Sequence, residues 1–330
     1  MIESIVTGAN QAVTTGLQLY YDHAGHRQIS PSDMRIEDPQ VIAPDGNIVF
    51  LRGLLGFEPS EVFANAFRAA GFRFKTHRFP KTLEDNKFRQ WPCNAADLLK
   101  EILENPDYLG NNPVLLGHSA GGLEMVPLKA LALRKDPGAI LKVLGFDQKL
   151  GVLLMNDSRV ARAISQLEKT IFIAAGSPLL GVALTLPGQL ANRVIVESTV
   201  PGLLSSMTQE TVQRAYETMG IDRHDLVDSV VYSDTAPLDL QNNGPTSLAT
   251  HAAVQGAYRL FSPFLKRSKP HDGIVPVHTA RLPWSERERF LREIKVPFDH
   301  LGMVEYKEAA HLIIGLILSL QFQNQDLNFN

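Results

Sequence analysis

Residues 113–122, PVLLGHSAGG, join a short apolar run to the pattern Gly-x-Ser-x-Gly at residues 117–121. The apolar run predicts a buried strand, and residues 123–133 have the spacing of a helix. A sharp turn from a strand to a helix lifts a serine hydroxyl above the edge of a sheet, and its glycines leave room for the neighbouring backbone. Ser119 is therefore the candidate nucleophile.

A serine hydroxyl is a weak nucleophile at neutral pH and needs several partners. A histidine must take its proton, a carboxylate must orient that histidine, and two N–H groups must hold the oxyanion. One N–H is that of Ala120, directly after the serine. The second comes from the loop after an earlier strand, which predicts the N–H of Leu54 in RGLLGF, residues 52–57.

The segments around this motif alternate between strand and helix patterns, which is typical of a parallel sheet with crossover helices. Apolar runs predict strands at residues 47–51 and 170–175, the alternation of residues 72–79 predicts another, and residues 293–298 can form the last strand. Helical spacing predicts helices at residues 60–70, 94–104 and 307–322. We therefore expect an α/β fold in a single catalytic domain that spans residues 1–330.

Residues 184–254 break this alternation. The stretch is rich in Ser, Thr, Gln and Asn, with short amphipathic pieces such as residues 209–217. A compact domain rarely contains a structureless connection of this length, which favours a helical insertion. We expect the insertion to form a cap, or lid, over the site.

Composition and charge narrow the classes of partner. The chain has 330 residues, of which 44% are apolar, and a formal net charge of -3. It lacks the basic excess that binding to a phosphate backbone requires, so we exclude nucleic acid and favour a neutral or apolar ligand. Its longest apolar run, Leu312–Leu320, is far shorter than the roughly 20 residues that cross a bilayer, so we expect no transmembrane segment.

The cysteine count and the first residues bear on the compartment. Cys93 is the single cysteine, which excludes an intramolecular disulfide and a cysteine-rich zinc site. We interpret it as a buried, inert thiol. Residues 1–20 carry no Lys or Arg and no continuous apolar run, so they do not have the pattern of a secretory signal. We expect a cytoplasmic protein, or an exported one whose signal has been removed.

Four segments carry a resemblance to a known family. They are residues 47–57 with RGLLGF, VLLGHSAGG at 114–122, IAAGSPLLG at 173–181, and HDGIVPV at 271–277 together with DHLGMV at 299–304. In this order they resemble the bacterial triacylglycerol lipases of the α/β-hydrolase superfamily. The resemblance implies an α/β-hydrolase fold, with a mostly parallel sheet, helices on both faces and an inserted helical cap.

The resemblance also implies the acid and the histidine. In the family the acid lies in the DG-x-V segment, which is Asp272 here, and the histidine lies in an Asp-His-Leu context, which is His300. The order Ser119, Asp272, His300 agrees with the order of this fold. His311 is an alternative because it also follows Asp272, but it lies in a predicted helix rather than in a loop at a strand end. His118, at the variable position of the serine motif, is expected to pack beside the turn.

Three departures from the family matter. Arg52 stands where the family usually has His before the oxyanion glycine. Calcium-binding bacterial lipases continue with His-Leu-Asp, whereas this chain has His300, Leu301 and Gly302, so we expect no structural calcium and no other metal. Secreted lipases carry signals, and the lack of a visible one argues against a role in digesting extracellular fat.

These residues predict a serine hydrolase that cleaves a small-molecule or lipid-like carboxylic ester through an acyl-enzyme on Ser119, without a cofactor. An acyltransferase or a thioesterase with the same three residues is an alternative. A catalytically silent binding protein on the same fold is another, since a fold does not dictate activity. The sequence leaves the acyl-chain length and the oligomeric state open.

Overall fold

A computed structural model describes residues 46–53, 58–77, 91–146, 158–182, 206–233, 272, 274–296 and 298–326. The strands are β1 (Asn47–Leu51), β2 (Arg73–Thr76), β3 (Val114–His118), β4 (Ile171–Ala175), β5 (Ser229–Tyr232) and β6 (Glu293–Lys295). The helices are α1 (Glu61–Ala69), α2 (Trp91–Glu104), α3 (Gly121–Ala132), α4 (Pro137–Val143), α5 (Ser158–Leu167), α6 (Gln209–Met219), α7 (Val277–Ala280), α8 (Glu286–Arg292) and α9 (Lys307–Asp326).

The strands form one open sheet in the order β2-β1-β3-β4-β5-β6, and every neighbouring pair is parallel. Parallel neighbours cannot be joined by a tight hairpin, so the chain crosses a face of the sheet between strands. Successive side chains of β1 separate to the two faces: Ile48 and Phe50 join one apolar cluster, and Val49 and Leu51 join the other. The predicted parallel α/β sheet is confirmed.

Helices cover both faces of the sheet, as a parallel sheet requires. Helices α2 to α6 supply apolar residues to the cluster on one face. Helices α1 and α9 pack against each other on the opposite face. The apolar run Leu312–Leu320 lies in α9 and is almost wholly buried there, as predicted. In the ranges given above, no helix is long and apolar enough to cross a membrane.

Local signals explain where α1 begins and ends. The hydroxyl of Ser60 accepts a hydrogen bond from the N–H of Phe63 at 3.0 Å, which satisfies one of the free amides of the first turn. The helix ends before Gly71, whose φ of 92° breaks the helical path. The predicted helix over residues 60–70 is therefore confirmed to within a residue at each end.

The structure corrects the boundaries of the insertion predicted at residues 184–254. Within that stretch it describes residues 206–233, which contain α6 and β5. Strand β5 pairs with β4 and β6 inside the central sheet, and α6 contributes to the core through Val212 and Tyr216. This part is core rather than cap. The other residues of the predicted cap lie outside the described ranges.

Cys93 is exposed, so the predicted burial of its thiol was wrong. The buried face of α2 is formed by residues such as Trp91, Ala95 and Leu98, which recur at helical spacing. Cys93 lies two residues after Trp91, a rotation of roughly 200° around the helix, which turns its side chain towards solvent.

Candidate active site

Ser119 occupies the tight turn between β3 and α3, at the carboxyl end of the sheet. Its φ is 55°, in the left-handed region that residues other than glycine rarely adopt. Its N–H donates to the carbonyl of Ala175 at 3.0 Å, and its own carbonyl accepts the N–H of Gly122 at 3.1 Å. Backbone strain that the surroundings hold in place is common at functional sites.

The glycines of the motif are required by close backbone contacts. A β-carbon at Gly117 would lie 2.5 Å from the carbonyl oxygen of Gly121. A β-carbon at Gly121 would lie 2.4 Å from the carbonyl oxygen of Leu51 at the end of β1. Both obstacles are backbone atoms, which cannot move aside as a flexible side chain does, so the turn tolerates only glycine at these positions.

The strand order and this turn together decide the fold, because the serine follows the third described strand at the top of a parallel sheet, with helices on both faces. The chain has the α/β-hydrolase fold. In this fold the loops at the carboxyl ends of the strands carry the remaining site residues.

Asp272 and His300 form a buried pair. The ring Nδ1 of His300 lies 2.8 Å from Oδ2 of Asp272, and both side chains are at most 5% exposed. Oδ1 of Asp272 accepts the N–H groups of Ile274 at 2.9 Å and Val275 at 2.7 Å. A carboxylate only accepts hydrogen bonds, so Nδ1 of His300 donates to it, and Nε2 is the ring nitrogen left for another partner.

The pair and Ser119 share one end of the sheet. Gly176, which follows β4 with a φ of 54°, lies against the pair: a β-carbon there would be 3.1 Å from Oδ2 of Asp272 and from Nδ1 of His300. Ala175, the residue before it, accepts the N–H of Ser119. The structure therefore brings all three predicted residues to the carboxyl end of the sheet.

His311, the alternative histidine, lies inside α9 and is buried. Burial lowers its pKa, and nearby Lys307 lowers it further, while Glu308 opposes the shift. The carboxylate of Asp272 bonds to His300 and to two main-chain amides of its own loop. The geometry thus favours His300 over His311 as the partner of Asp272.

The structure describes one of the two predicted oxyanion donors. Ala120 is the residue at the amino end of α3, where the first amides of a helix have no carbonyl partner within that helix. Leu54 lies outside the described residues. Its neighbour Gly53 does lie against the nucleophile, because a β-carbon there would be 2.6 Å from Cβ of Ser119 and 3.1 Å from its Oγ.

Arg52 stands between β1 and this glycine. Its Nη1 lies 2.8 Å from Oε1 of Glu58, so an ion pair joins the two ends of the loop that begins at Gly53. Glu58 is half exposed, which limits the energy of such a pair to about 1 kcal/mol. The sequence singled out Arg52 as a departure but gave no partner for it.

His118 packs beside the turn, as predicted. Its ring centroid lies 4.6 Å from that of His300 and 6.4 Å from that of Phe50. Burial lowers the pKa of His118 to about 3, and nearby His300 contributes to the decrease, while a hydrogen bond to the backbone of His300 opposes it. The ring is therefore neutral near pH 7.

The sequence analysis did not identify Glu124, a buried carboxyl in the first turn of α3, five positions after Ser119. Asn94 donates to its Oε1 at 2.7 Å. Burial raises the pKa of Glu124 to about 8, against the opposing effects of the Asn94 hydrogen bond and the charge of Arg52. The signal was a single acidic residue in the apolar stretch GGLEMV, residues 121–126.

Gly302 stands where calcium-binding bacterial lipases carry Asp. A β-carbon there would lie 2.7 Å from Cε2 of Tyr306 and 3.0 Å from Cβ of Phe298, so a side chain does not fit without displacing both. The N–H of Gly302 donates to Oδ1 of Asp299 at 2.8 Å. Within the part of the chain that the structure describes, no group of three or more His, Cys, Asp or Glu side chains is arranged to hold a metal ion.

No protein-family model and no curated protein matches the sequence. Among solved structures, the chain is similar to the mature form of lipase BlEst2 from Bacillus licheniformis, at 14% identity and a TM-score of 0.44, over 79% of this chain and 86% of the lipase. The propeptide form of the same lipase gives 15% identity and a TM-score of 0.44, over 78% of this chain and 47% of that one. At this level of similarity, the fold assignment depends on the strand order and the serine turn described above.

Proposed function

We propose that the chain is a serine hydrolase that cleaves carboxylic esters through an acyl-enzyme on Ser119. One observation carries the proposal: the buried Asp272–His300 pair, 2.8 Å apart, lies at the same end of the sheet as a serine held at a φ of 55°. A nucleophile, a base and a group that orients the base are the minimum set for such chemistry.

In the proposed acylation step, Oγ of Ser119 attacks the acyl carbonyl carbon while Nε2 of His300 takes the hydroxyl proton. The carboxylate of Asp272 stabilises the imidazolium through Nδ1. The N–H groups of Ala120 and Leu54 hold the oxyanion of the tetrahedral intermediate. The ester C–O bond then breaks, and the alcohol leaves with the proton from His300.

In deacylation, a water molecule replaces the alcohol. His300 takes a proton from the water as its oxygen attacks the acyl carbon, and returns it to Oγ of Ser119 when the bond to the serine breaks. Each proton moves between the side chains, the substrate and water, so the proposal includes no cofactor. The net charge of -3 and the lack of a basic excess agree with a neutral, small-molecule or lipid-like ester.

The test is mass spectrometry after labelling with a fluorophosphonate, combined with hydrolysis of p-nitrophenyl esters from acetate to palmitate. We expect one label per chain, on the peptide that contains Ser119, together with turnover. Ser119→Ala should lose both. Ser158→Ala changes an exposed serine at the start of α5 and serves as the matched control, with labelling and turnover like those of the parent.

Two other results would replace this proposal. If the folded protein neither reacts with the fluorophosphonate nor hydrolyses any ester, the hypothesis of a catalytically silent binding protein replaces the proposal. If it is labelled but transfers the acyl group to an added alcohol, the acyltransferase hypothesis replaces ester hydrolysis. If it is labelled but cleaves thioesters faster than esters, the thioesterase hypothesis replaces it.

A further inference from the structure

His118 contacts the loop that carries His300 as well as preceding the nucleophile in the chain. Its Nε2 lies 2.8 Å from the main-chain oxygen of His300, although 182 positions separate the two residues. A carbonyl oxygen only accepts hydrogen bonds, so Nε2 of His118 carries a proton and donates it. The strand that presents Ser119 is thereby bonded to the loop that presents the base.

The surroundings of His118 hold its ring in one orientation. The ring is 2% exposed and lies nearly parallel to that of Phe50, with an interplanar angle of 21°. It also contacts the ring of His300, with the centroids 4.6 Å apart. Among the described residues, Nδ1 of His118 has no hydrogen-bond partner, so the bond to His300 is the ring's polar contact there.

Among the residues that the structure describes, His300 makes three hydrogen bonds, to two partners. Asp272 supplies two of them: its main-chain oxygen accepts the N–H of His300 at 2.9 Å, and its carboxylate accepts from the ring at 2.8 Å. His118 supplies the third, to the carbonyl of His300. Without that third bond, the hydrogen bonds of His300 itself to the described residues all go to Asp272.

We infer that His118 is a positioning residue for His300. It fixes the carbonyl of the base to the residue adjoining the nucleophile, so that Nε2 of His300 and Oγ of Ser119 keep a constant separation. This inference rests on the proposed function, because it assigns the base and the nucleophile to these residues. A displacement of about 1 Å between reacting groups is enough to cost a hundredfold in rate.

Two substitutions separate the hydrogen bond from the packing of the ring. His118→Phe keeps an aromatic ring between Phe50 and His300 but has no donor. His118→Gln keeps an N–H donor at the end of a side chain that reaches the place of Nε2. If His118 acts through packing alone, the Phe variant should keep more activity than the Gln variant. If it acts by positioning, the Gln variant should keep more activity than the Phe variant.

We expect His118→Phe to lower kcat by about 10- to 100-fold, with KM within about twofold of the parent, because loss of the bond misplaces the base rather than the substrate. We expect His118→Gln to stay within about threefold of the parent kcat. Equal losses in both variants, or a fully active Phe variant, would overturn the inference. Thermal unfolding of each variant is measured alongside, so that a lower folded fraction is recognised.

A second measurement does not depend on activity. In protein with 15N-labelled histidine rings, NMR identifies which ring nitrogen of His118 carries the proton. We expect the proton on Nε2, protected from exchange with solvent, and we expect faster exchange of the Nδ1 proton of His300 in the Phe variant only. A proton on Nδ1 of His118 in the parent protein contradicts the inference even if no variant folds.

The two measurements also separate failure of this inference from failure of the proposed function. If the parent protein does not label at Ser119, the proposed function falls, and the NMR result alone decides whether His118 holds His300. If the parent labels and turns over esters while the Phe variant keeps full activity and an unchanged Nδ1 proton, only the positioning role falls.

Discussion

Asp272 and His300 are joined by two hydrogen bonds, one between their main chains at 2.9 Å and one between their side chains at 2.8 Å. The second oxygen of the carboxylate is bonded to the amides of Ile274 and Val275. The acid is therefore fixed by its own loop and cannot rotate away from the histidine.

This arrangement predicts a specific effect of Asp272→Asn. The Oδ1 of asparagine still accepts the two main-chain amides, so its NH₂ group faces Nδ1 of His300 and selects the wrong tautomer of that ring. We expect kcat for ester hydrolysis to fall by roughly 10³- to 10⁴-fold, as when the orienting acid of a serine triad is changed in this way. The melting temperature should change little. A variant with near-parent kcat would show that Asp272 does not orient the base.

The choice between the two histidines gives a second prediction. His300→Ala removes the ring that faces Asp272, and we expect ester turnover to disappear. His311→Ala leaves a cavity where the buried ring of this α9 residue packs, so we expect a lower melting temperature. We expect the variant to keep most of the activity of the parent at a temperature where it is folded. The reverse pattern of activities, in two folded variants, would reassign the base to His311.

Much of the sheet could be predicted from the sequence because its strands are local apolar runs next to turn signals. Residues 48–51 and 171–175 are continuous apolar segments of the kind that a strand buried on both faces requires. Strand β5 was missed although Val230, Val231 and Tyr232 have the β-branched and aromatic side chains that strands favour. The strand has only four residues and lies within the longer stretch 184–254, whose Ser, Thr, Gln and Asn content hid this short signal.

The candidate site also contains residues that could be predicted from the sequence and residues that could not. Ser119 could be predicted because the turn imposes glycines on neighbouring positions, which leaves a pattern in the sequence. The contact between His118 and His300 joins residues 182 positions apart, and the burial of Glu124 depends on α2 packing over α3. Neither follows from spacing along the chain, since both depend on which elements the fold brings together.

Close packing between α3 and the loop after β4 gives a third prediction. A β-carbon at Gly122 would lie 2.2 Å from Oγ and 2.4 Å from Cβ of Ser177, which is fully buried. We expect Gly122→Ala to destabilise the fold by about 1–3 kcal/mol through overpacking. Since the clash involves Cβ as well as the hydroxyl, Ser177→Gly should restore part of the loss in the double variant, and Ser177→Ala should not. Urea unfolding of the variants measures these differences, and full additivity in the Gly double variant would contradict the clash.

The buried carboxyl of Glu124 makes the stability of the protein depend on pH. Its pKa rises from the usual 4.5 to about 8 in the folded chain, chiefly because burial disfavours the charged form. Between these values the unfolded chain has lost this proton and the folded chain keeps it. The free energy of unfolding therefore includes the full contribution of Glu124 below about pH 4.5, decreases as the pH rises, and levels off above about pH 8.

Glu124→Gln removes this titration while keeping the oxygen that accepts from Asn94. We expect the free energy of unfolding of the variant to increase relative to that of the parent between pH 5 and pH 9, by an amount on the order of a few kcal/mol. Urea unfolding across this range measures the difference, and Glu286→Gln, at an exposed site on α8, is the matched control with no such gain. A constant offset between parent and Glu124→Gln at every pH would mean that Glu124 has the same pKa in the folded and unfolded chains. The hydrogen bond from Asn94 and the charge of Arg52 would then compensate fully for its burial.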